Sequence, residues 1–178
     1  RYEGVGGSGT TTSGMIFGGK EPAQSAKTEL WNGTAWTEVN DLNTARARIA
    51  AATKGTVNAT LGFGGNPARA ITESWDGTSW TEVADLNTAR QEMGGAGTQA
   101  SALGYGGNTD AVSALTEAWD GSSWSEVNDM ATARRHGTTG SGSAQSAIQA
   151  SGETTVPVVN TEEWTVPSSV NNLTVASS

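Results

Sequence analysis

The sequence predicts an all-β protein made of four copies of one four-stranded unit. The stretch TESWDGTSWTEVADLNTAR at residues 72–90 recurs in nearly the same form at residues 28–46 and 116–134, and a degraded copy begins at Thr161. The repeated acids and tryptophans are each separated by 44, 44 and 45 residues: Glu29, Glu73, Glu117 and Glu162, and Trp31, Trp75, Trp119 and Trp164. A period of this length is typical of a supersecondary unit that is copied and stacked. Within each copy, short runs alternate with turn residues, which is the all-β pattern.

The units are aligned on a recurring arginine. Arg1, Arg46, Arg90 and Arg134 are equivalent, which divides a single domain, 1–178, into units 1–45, 46–89, 90–133 and 134–178. Because the chain begins with Arg1 rather than Met, we expect a processed product or a portion of a longer chain.

The first predicted strand of each unit consists of very small residues. These strands lie at residues 6–12 (GGSGTTT), 50–56 (AAATKGT), 94–100 (GGAGTQA) and 140–145 (GSGSAQ). Glycine weakens a strand interior, so its recurrence indicates a place where backbones approach closely. The axis of a β-propeller, where all blades converge, is such a place.

The second predicted strand ends in an aromatic residue and two glycines, at residues 15–19 (MIFGG), 61–65 (LGFGG) and 103–107 (LGYGG). We expect the aromatic side chains to fill the space between neighbouring blades, and the glycine pair to permit a sharp exit. The loops that follow, 20–27, 66–70 and 108–114, differ most between copies. Recognition is therefore predicted there, and the candidate residues for a partner or a glycan are Lys20, Glu21, Asn66, Arg69, Asn108 and Asp110.

The third and fourth predicted strands form a hairpin. Two tryptophans flank each of the linkers NGTA, DGTS and DGSS, whose Asn-Gly or Asp-Gly start supplies the positive φ of a tight turn. Each pair can pack across the strands, which adds up to ~1 kcal/mol beyond burial. The unit then ends in Leu42, Leu86 or Met130, which we expect to close the gap between blades.

The fourth unit departs from the pattern. Its second predicted strand, 147–152 (AIQASG), lacks the aromatic residue and the double glycine, and no second tryptophan follows Trp164. Atypical terminal units are expected where an array ends or a ring closes. Residues 170–176 (VNNLTVA) are predicted to supply the outer strand.

The order Arg, small-residue strand, aromatic-Gly-Gly, Glu-x-Trp-Asp, Trp-x-x-Val and Leu or Met resembles the kelch repeat. The resemblance implies four-stranded blades arranged as a β-propeller, with a period shorter than the usual ~50 residues. Residues 75–90 (WDGTSWTEVADLNTAR) are also similar to repeats of tail-fibre, appendage and other surface proteins of aquatic bacteriophages and bacteria.

Four units permit a closed four-bladed ring, at the low end of the usual four to eight blades. The small inner strands favour this ring because fewer blades leave a narrower axis. The alternative is a partial ring completed by missing N-terminal sequence or by a second chain.

Individual residues that could bind a metal ion or take part in catalysis are interpreted as structural. Asp76 and Asp120 suit calcium, but simple turn chemistry explains them, and Asn32 replaces the acid in the first copy. The four repeated glutamates are predicted to pair with Arg46, Arg90 and Arg134 between blades. His136, the only histidine, has no identifiable partner in the sequence. No catalytic residue, cofactor site or metal site is therefore predicted, and most of the tryptophans are assigned to inter-blade packing rather than sugar stacking.

The composition of the chain disfavours some classes of binding partner. A net charge of −8 disfavours nucleic acid and anionic membrane surfaces. The chain has no cysteine and no apolar run long enough for membrane insertion. The leading hypothesis is a non-enzymatic structural or adhesive protein of a phage tail fibre or other extracellular appendage, on the virion or cell surface, that contacts copies of itself, other appendage proteins or a cell-surface glycan. The alternative is a secreted, lectin-like carbohydrate-binding propeller, and an enzyme comes third.

Overall fold

The computed structural model describes residues 2–4, 6–136, 141–157, 159 and 161–165. All regular structure in these residues is β, arranged as antiparallel sheets. None of them forms a helix with the length and apolar character needed to cross a bilayer.

The first unit contains a four-stranded sheet in the order β1-β2-β5-β6 and a small ribbon, β3-β4. Its strands are β1 (Gly6–Gly9), β2 (Gly14–Phe17), β3 (Lys20–Glu21), β4 (Ala23–Gln24), β5 (Thr28–Trp31) and β6 (Trp36–Val39). The ribbon lies inside the loop that was predicted to be variable. β1 is shorter than the predicted 6–12 because Gly9, at φ 113°, begins a turn that is closed by a hydrogen bond from Thr10 N to Ser13 O of 2.7 Å.

The second and third units repeat this sheet. The second contains β7 (Ala50–Ala51), β8 (Thr60–Phe63), β9 (Thr72–Trp75) and β10 (Trp80–Glu82). The third contains β11 (Gly94–Thr98), β12 (Ser101–Tyr105), β13 (Thr116–Trp119) and β14 (Trp124–Val127). In both, each strand pairs with the next one along the chain. The prediction of four strands per unit is confirmed for these three sheets.

The fourth sheet has three strands among the described residues: β15 (Ser141–Gly142), β16 (Ser146–Ala150) and β17 (Thr161–Thr165). The outer strand predicted at 170–176 lies outside those residues. The strand register makes Ser151 and Gly152 the counterparts of the glycine pairs, and they keep positive φ of 57° and 123°, close to 67° and 125° at Gly64 and Gly65. The chain therefore turns sharply after the second strand of this unit as well, although the unit lacks the double glycine of the sequence pattern.

Successive sheets pack face to face. Successive side chains of a strand point to opposite faces of its sheet. Met15 and Phe17 of the first sheet therefore share a face and point at Trp75 and Trp80 of the second, in one buried cluster with Leu42. Equivalent clusters join the second sheet to the third and the third to the fourth. The first strands of consecutive sheets are neighbours, β1 with β7, β7 with β11, and β11 with β15. The predicted positions of the aromatic residues, Leu42, Leu86 and Met130 between sheets are confirmed.

Glycine makes this close packing possible. A Cβ on Gly62 would lie 2.6 Å from the Phe17 ring, and one on Gly104 would lie 2.8 Å from the Phe63 ring. The aromatic side chain of one sheet therefore occupies space that a side chain on the next sheet would need.

Candidate functional site

The variable loops all leave the same end of their sheets. The first residue of each loop pairs through its backbone with the residue that follows the repeated arginine: Lys20 with Tyr2, Asn66 with Ala47, Asn108 with Gln91, and Glu153 with Arg135. In every unit this end carries the start of the first strand and the exit of the second. We call it the loop face, defined by residues 2–4, 20–27, 47–48, 66–70, 91–92, 108–114, 135–136 and 153–157.

A row of charged residues crosses the loop face. Glu3, Arg48, Glu92 and His136 are each two places after the repeated arginine position, and all adopt left-handed φ, at 57°, 55°, 60° and 50°. Their backbones are linked in series by N–H to O bonds of 3.3, 3.4 and 3.2 Å. Left-handed φ is uncommon for such residues, and here it lets each amide reach the carbonyl of the preceding unit. This charged row therefore brings one residue from each unit together.

Glu92 is the centre of the charged row. Its side chain is 1% exposed and contacts Arg48 Nη1 through Oε1. Oε2 lies 3.1 Å from His136 Nε2 and 3.7 Å from Arg135 Nη1, without hydrogen-bond geometry to either. Burial of a carboxylate is costly unless cations compensate it. Glu92 thus ties its own unit to the second and the fourth through charge.

Two of the candidate loop residues make side-chain contacts on the loop face. Asn66 accepts a hydrogen bond from Gln24 Nε2 at 2.8 Å and donates one to Gln91 Oε1 at 2.5 Å. Lys20 lies 3.5 Å from Glu3, and its ammonium group is 6.0 Å from the centre of the exposed Tyr2 ring. The structure therefore brings Asn66 to the junctions between units, whereas Lys20 contacts residues of its own unit.

The other four candidates are more dispersed. Glu21 and Asp110 are exposed near the loop tips. Arg69 accepts a backbone hydrogen bond from Arg90 N at 3.0 Å, and its Nε is buried without a hydrogen-bond partner. Asn108 pairs with Gln91 through its backbone, and its Oδ1 is buried without a hydrogen-bond partner. The six candidates share one end of the sheets but do not converge on a single pocket.

The charged row was not predicted from the sequence. The prediction that His136 lacks an identifiable partner does not describe the folded chain, because Glu92, 44 residues earlier, lies beside it. The available signal was that the position two residues after each arginine is polar and charged or ionisable in all four copies. The residue at this position differs from copy to copy, so the position does not form a sequence motif.

The repeated arginines form buried connections between linking segments and sheets. Arg90 donates to Gly106 O at 2.8 Å, Leu115 O at 2.6 Å and Glu117 Oε1 at 2.8 Å, and Asn87 binds the other oxygen of Glu117. Burial lowers the pKa of Arg90, and the neighbouring Glu117 carboxylate opposes that shift. Arg46 with Glu73 and Arg134 with Glu162 repeat the arrangement. The predicted pairing is confirmed for these three pairs.

The aspartates of the hairpin turns bind backbone. Asp120 Oδ1 accepts hydrogen bonds of 2.8 Å from Ser122 N and Ser123 N. These bonds lower the pKa of Asp120 to about 2, and the bond from Ser123 N has the largest effect. The pKa of Asp76 is also lowered, by the equivalent backbone hydrogen bonds. Asn32 makes the same two contacts at 2.9 Å, as expected for turn chemistry. No cluster of three or more metal-ligating side chains occurs in the part of the chain that the structure describes.

A cavity of about 330 Å³ lies between the third and fourth sheets. Its lining includes Tyr105, Met130, Gln149, Glu162 and Trp164. Tyr105 is the counterpart of Phe63, whose ring lies 4.8 Å from Trp124. The cavity therefore lies where Tyr105 faces the fourth sheet.

Comparison of the chain with models of known protein families and with curated proteins finds no match. The resemblance to the kelch repeat therefore stays a prediction from the sequence.

Proposed function

We propose that this chain is a non-enzymatic scaffold and adhesion module of an extracellular surface appendage, such as a phage tail fibre, and that its sheets are blades of a kelch-like β-propeller. In this proposal the loop face carries contacts with other appendage proteins or with a cell-surface receptor. The propeller arrangement is supported by the face-to-face sheets and by the adjacency of their small-residue first strands.

One observation carries the proposal: residues that repeat are used for packing, and residues that vary lie on the loop face. The buried tryptophans, arginines and glutamates make the same contacts in successive copies. The loops differ in length and charge while their first residues keep the same backbone pairing. A constant frame with variable loops is the usual arrangement of a recognition scaffold.

The appendage proposal is tested by locating the chain in native material. An antibody against the purified chain is used for immunogold electron microscopy of virions and cell surfaces. We expect gold on fibres or filaments. Label confined to the cell interior would contradict the proposal, and turnover of a polysaccharide that depends on one named acid of the chain would replace it with an enzyme.

A second candidate function is carbohydrate binding, and the loop face supplies the observation that favours it. Gln24, Asn66 and Gln91 form a hydrogen-bonded row of amides, and Tyr2 is 56% exposed on the same face. Amides suit sugar hydroxyls, and an exposed aromatic ring suits the apolar face of a sugar.

The carbohydrate candidate predicts glycan-array binding that Asn66→Ala and Tyr2→Ala each weaken at least tenfold. Thr34→Ala, in an exposed hairpin turn outside the loop face, is the matched control and should bind as the wild type does. Circular dichroism checks that every variant is folded. Equal loss in the control, or no glycan binding by the wild type, would remove this candidate.

A further inference from the structure

The contacts between consecutive sheets follow one pattern. Phe17 of the first sheet lies 4.7 Å from the Trp80 ring of the second, and Trp80 Nε1 donates to Thr28 Oγ1 at 2.9 Å. The next interface repeats this, with Phe63 4.8 Å from Trp124 and Trp124 Nε1 donating to a threonine at 3.0 Å. Each of these two interfaces therefore joins a face with an apolar residue and a threonine to a face with two tryptophans.

Among the residues that the structure describes, no sheet lies against the tryptophan face of the first sheet. Trp36 is the counterpart of Trp80 and Trp124, yet it is 47% exposed while they are 5% and 6% exposed. Trp31, its cross-strand neighbour at 5.5 Å, is half-buried, whereas the equivalent Trp75 is fully buried. We call the surface of Ile16, Trp31 and Trp36 the head face. An exposed indole of this kind marks an interaction surface.

The opposite face of the fourth sheet is also uncovered by the described part of the chain. Ile148 is the counterpart of Leu61 and Leu103, which are both 0% exposed, but Ile148 is 46% exposed. Thr161 is the counterpart of the threonines that accept from Trp80 and Trp124, and it too is exposed. We call the surface of Ile148, Ala150 and Thr161 the tail face. It presents the apolar residue and the hydroxyl that a head face uses.

We propose that the head face of one copy of this chain docks on the tail face of a second copy and continues the stacking of sheets. The two interfaces among the first three sheets supply the geometry, with Thr161 as acceptor for Trp36 Nε1 and Ile148 as the apolar contact. The two faces of one chain are both exposed, so they do not cover each other. The inference rests on the proposed scaffold role, which it deepens by naming a second copy as partner.

This contact is weaker than the internal ones because Ala150 stands where Phe17, Phe63 and Tyr105 stand in the other sheets. Loss of an aromatic ring removes buried apolar area and ring packing. Head-to-tail contacts either close into a ring or extend as a filament. Two copies would bring eight sheets together, twice the four main sheets of one chain, which is within the range of known propellers.

The test measures mass in solution by sedimentation velocity and light scattering over a range of concentrations. We expect the wild type to exceed the 18.2 kDa of one chain, reaching twice that mass for a closed pair or growing with concentration for a filament. Trp36→Ser and Ile148→Asp should each remain at the mass of one chain. Val156→Ser, at an exposed apolar residue outside both faces, is the matched control and should assemble as the wild type does.

Mixing the two defective variants tests the direction of the contact. Trp36→Ser keeps a sound tail face and Ile148→Asp keeps a sound head face, so an equal mixture should form pairs of one copy of each and no larger species. Both changed residues are exposed, and unchanged thermal unfolding of each variant by circular dichroism checks its fold.

Three outcomes would overturn the inference: a wild type that stays at the mass of one chain, assembly by Trp36→Ser alone, or a mixture that does not pair. If the wild type has the mass of one chain and both variants are less stable than it, the two faces meet within one chain. None of these results depends on the immunogold localisation, so failure of the assembly and failure of the appendage role are distinguishable.

Discussion

At the scale of single residues, each repeated arginine joins two units, one through its backbone and the other through its side chain. The backbone of Arg46 accepts from Gly19 N and donates to Ser25 O in the first unit, while its guanidinium donates to Gly64 O, Ile71 O and Glu73 in the second. A planar guanidinium can satisfy several acceptors at once. Burial lowers the pKa of Arg46 and Glu73 opposes this, so the buried charge is kept by a partner that is itself part of the repeat.

The turn aspartates give a prediction on pH. Since the pKa of Asp120 is lowered to about 2 in the folded chain, its ionised form stabilises the fold above the ordinary pKa of about 4, and this contribution is lost as the pH falls toward 2. Asp120→Asn should keep the turn, as Asn32 does, and should flatten the decline in unfolding free energy between about pH 4 and pH 2. Urea denaturation at a series of pH values measures this.

Asp120→Ala is the control for the turn itself. It removes the acceptor for Ser122 N and Ser123 N, so it should destabilise the protein more than Asp120→Asn at pH 7. An Asn variant with the same pH dependence as the wild type would contradict the assignment.

At the scale of elements, the distance between sheets is set by where a glycine faces an aromatic ring. Gly62→Ala places a methyl group 2.6 Å from the buried Phe17 ring, and overpacking of this kind costs about 1–3 kcal/mol. We expect that loss in the free energy of unfolding, measured by urea denaturation followed by tryptophan fluorescence.

Gly14→Ala is the matched control for Gly62→Ala. The nearest atom to its new Cβ is Thr10 O at 3.4 Å, an ordinary contact, and the equivalent positions in later sheets hold Thr60, Ala102 and Ala147. Its change should stay within about 0.5 kcal/mol. Equal effects of the two substitutions would show that the Phe17 contact does not limit the packing.

At the scale of the whole molecule, Glu92 couples three units. Its carboxylate contacts Arg48 in the second unit and Arg135 and His136 in the fourth. Glu92→Gln leaves two partly exposed arginines with less compensation, and we expect a loss of roughly 1–3 kcal/mol. Because a repeat array is held by neighbour contacts, we also expect the fluorescence and circular dichroism transitions in urea to separate.

Glu153→Gln is the control for that prediction. Glu153 is 37% exposed and lies 3.1 Å from Arg135, and exposed ion pairs contribute little. Its transitions should remain coincident, with a change below about 1 kcal/mol. A Glu92→Gln variant that behaves like Glu153→Gln would show that the charged row does not couple the units.

Much of the strand pattern could be predicted because it depends on local chemistry. Asp-Gly and Asn-Gly turns require positive φ, which Gly33, Gly77 and Gly121 adopt at 94°, 97° and 100°. The hairpin that each turn closes pairs its two tryptophans directly across the strands, as Trp75 with Trp80, which places both on one face. The length of β1 and β7 was less predictable, because Gly and Ala carry no side-chain period to show where pairing stops.

The amino-acid sequence by itself determined the four units, the turns, and the arginine, glutamate and tryptophan positions that pack between sheets, since each recurs at a fixed spacing and meets the same neighbour in the second and third units. Only the tertiary structure decided that Glu92 and His136 lie together, that Trp36 is exposed while Trp80 is buried, and that Ile148 is exposed while Leu61 is buried. These properties depend on what lies across an interface, and residues far apart in the chain or at the end of an array carry no local signal of their neighbours.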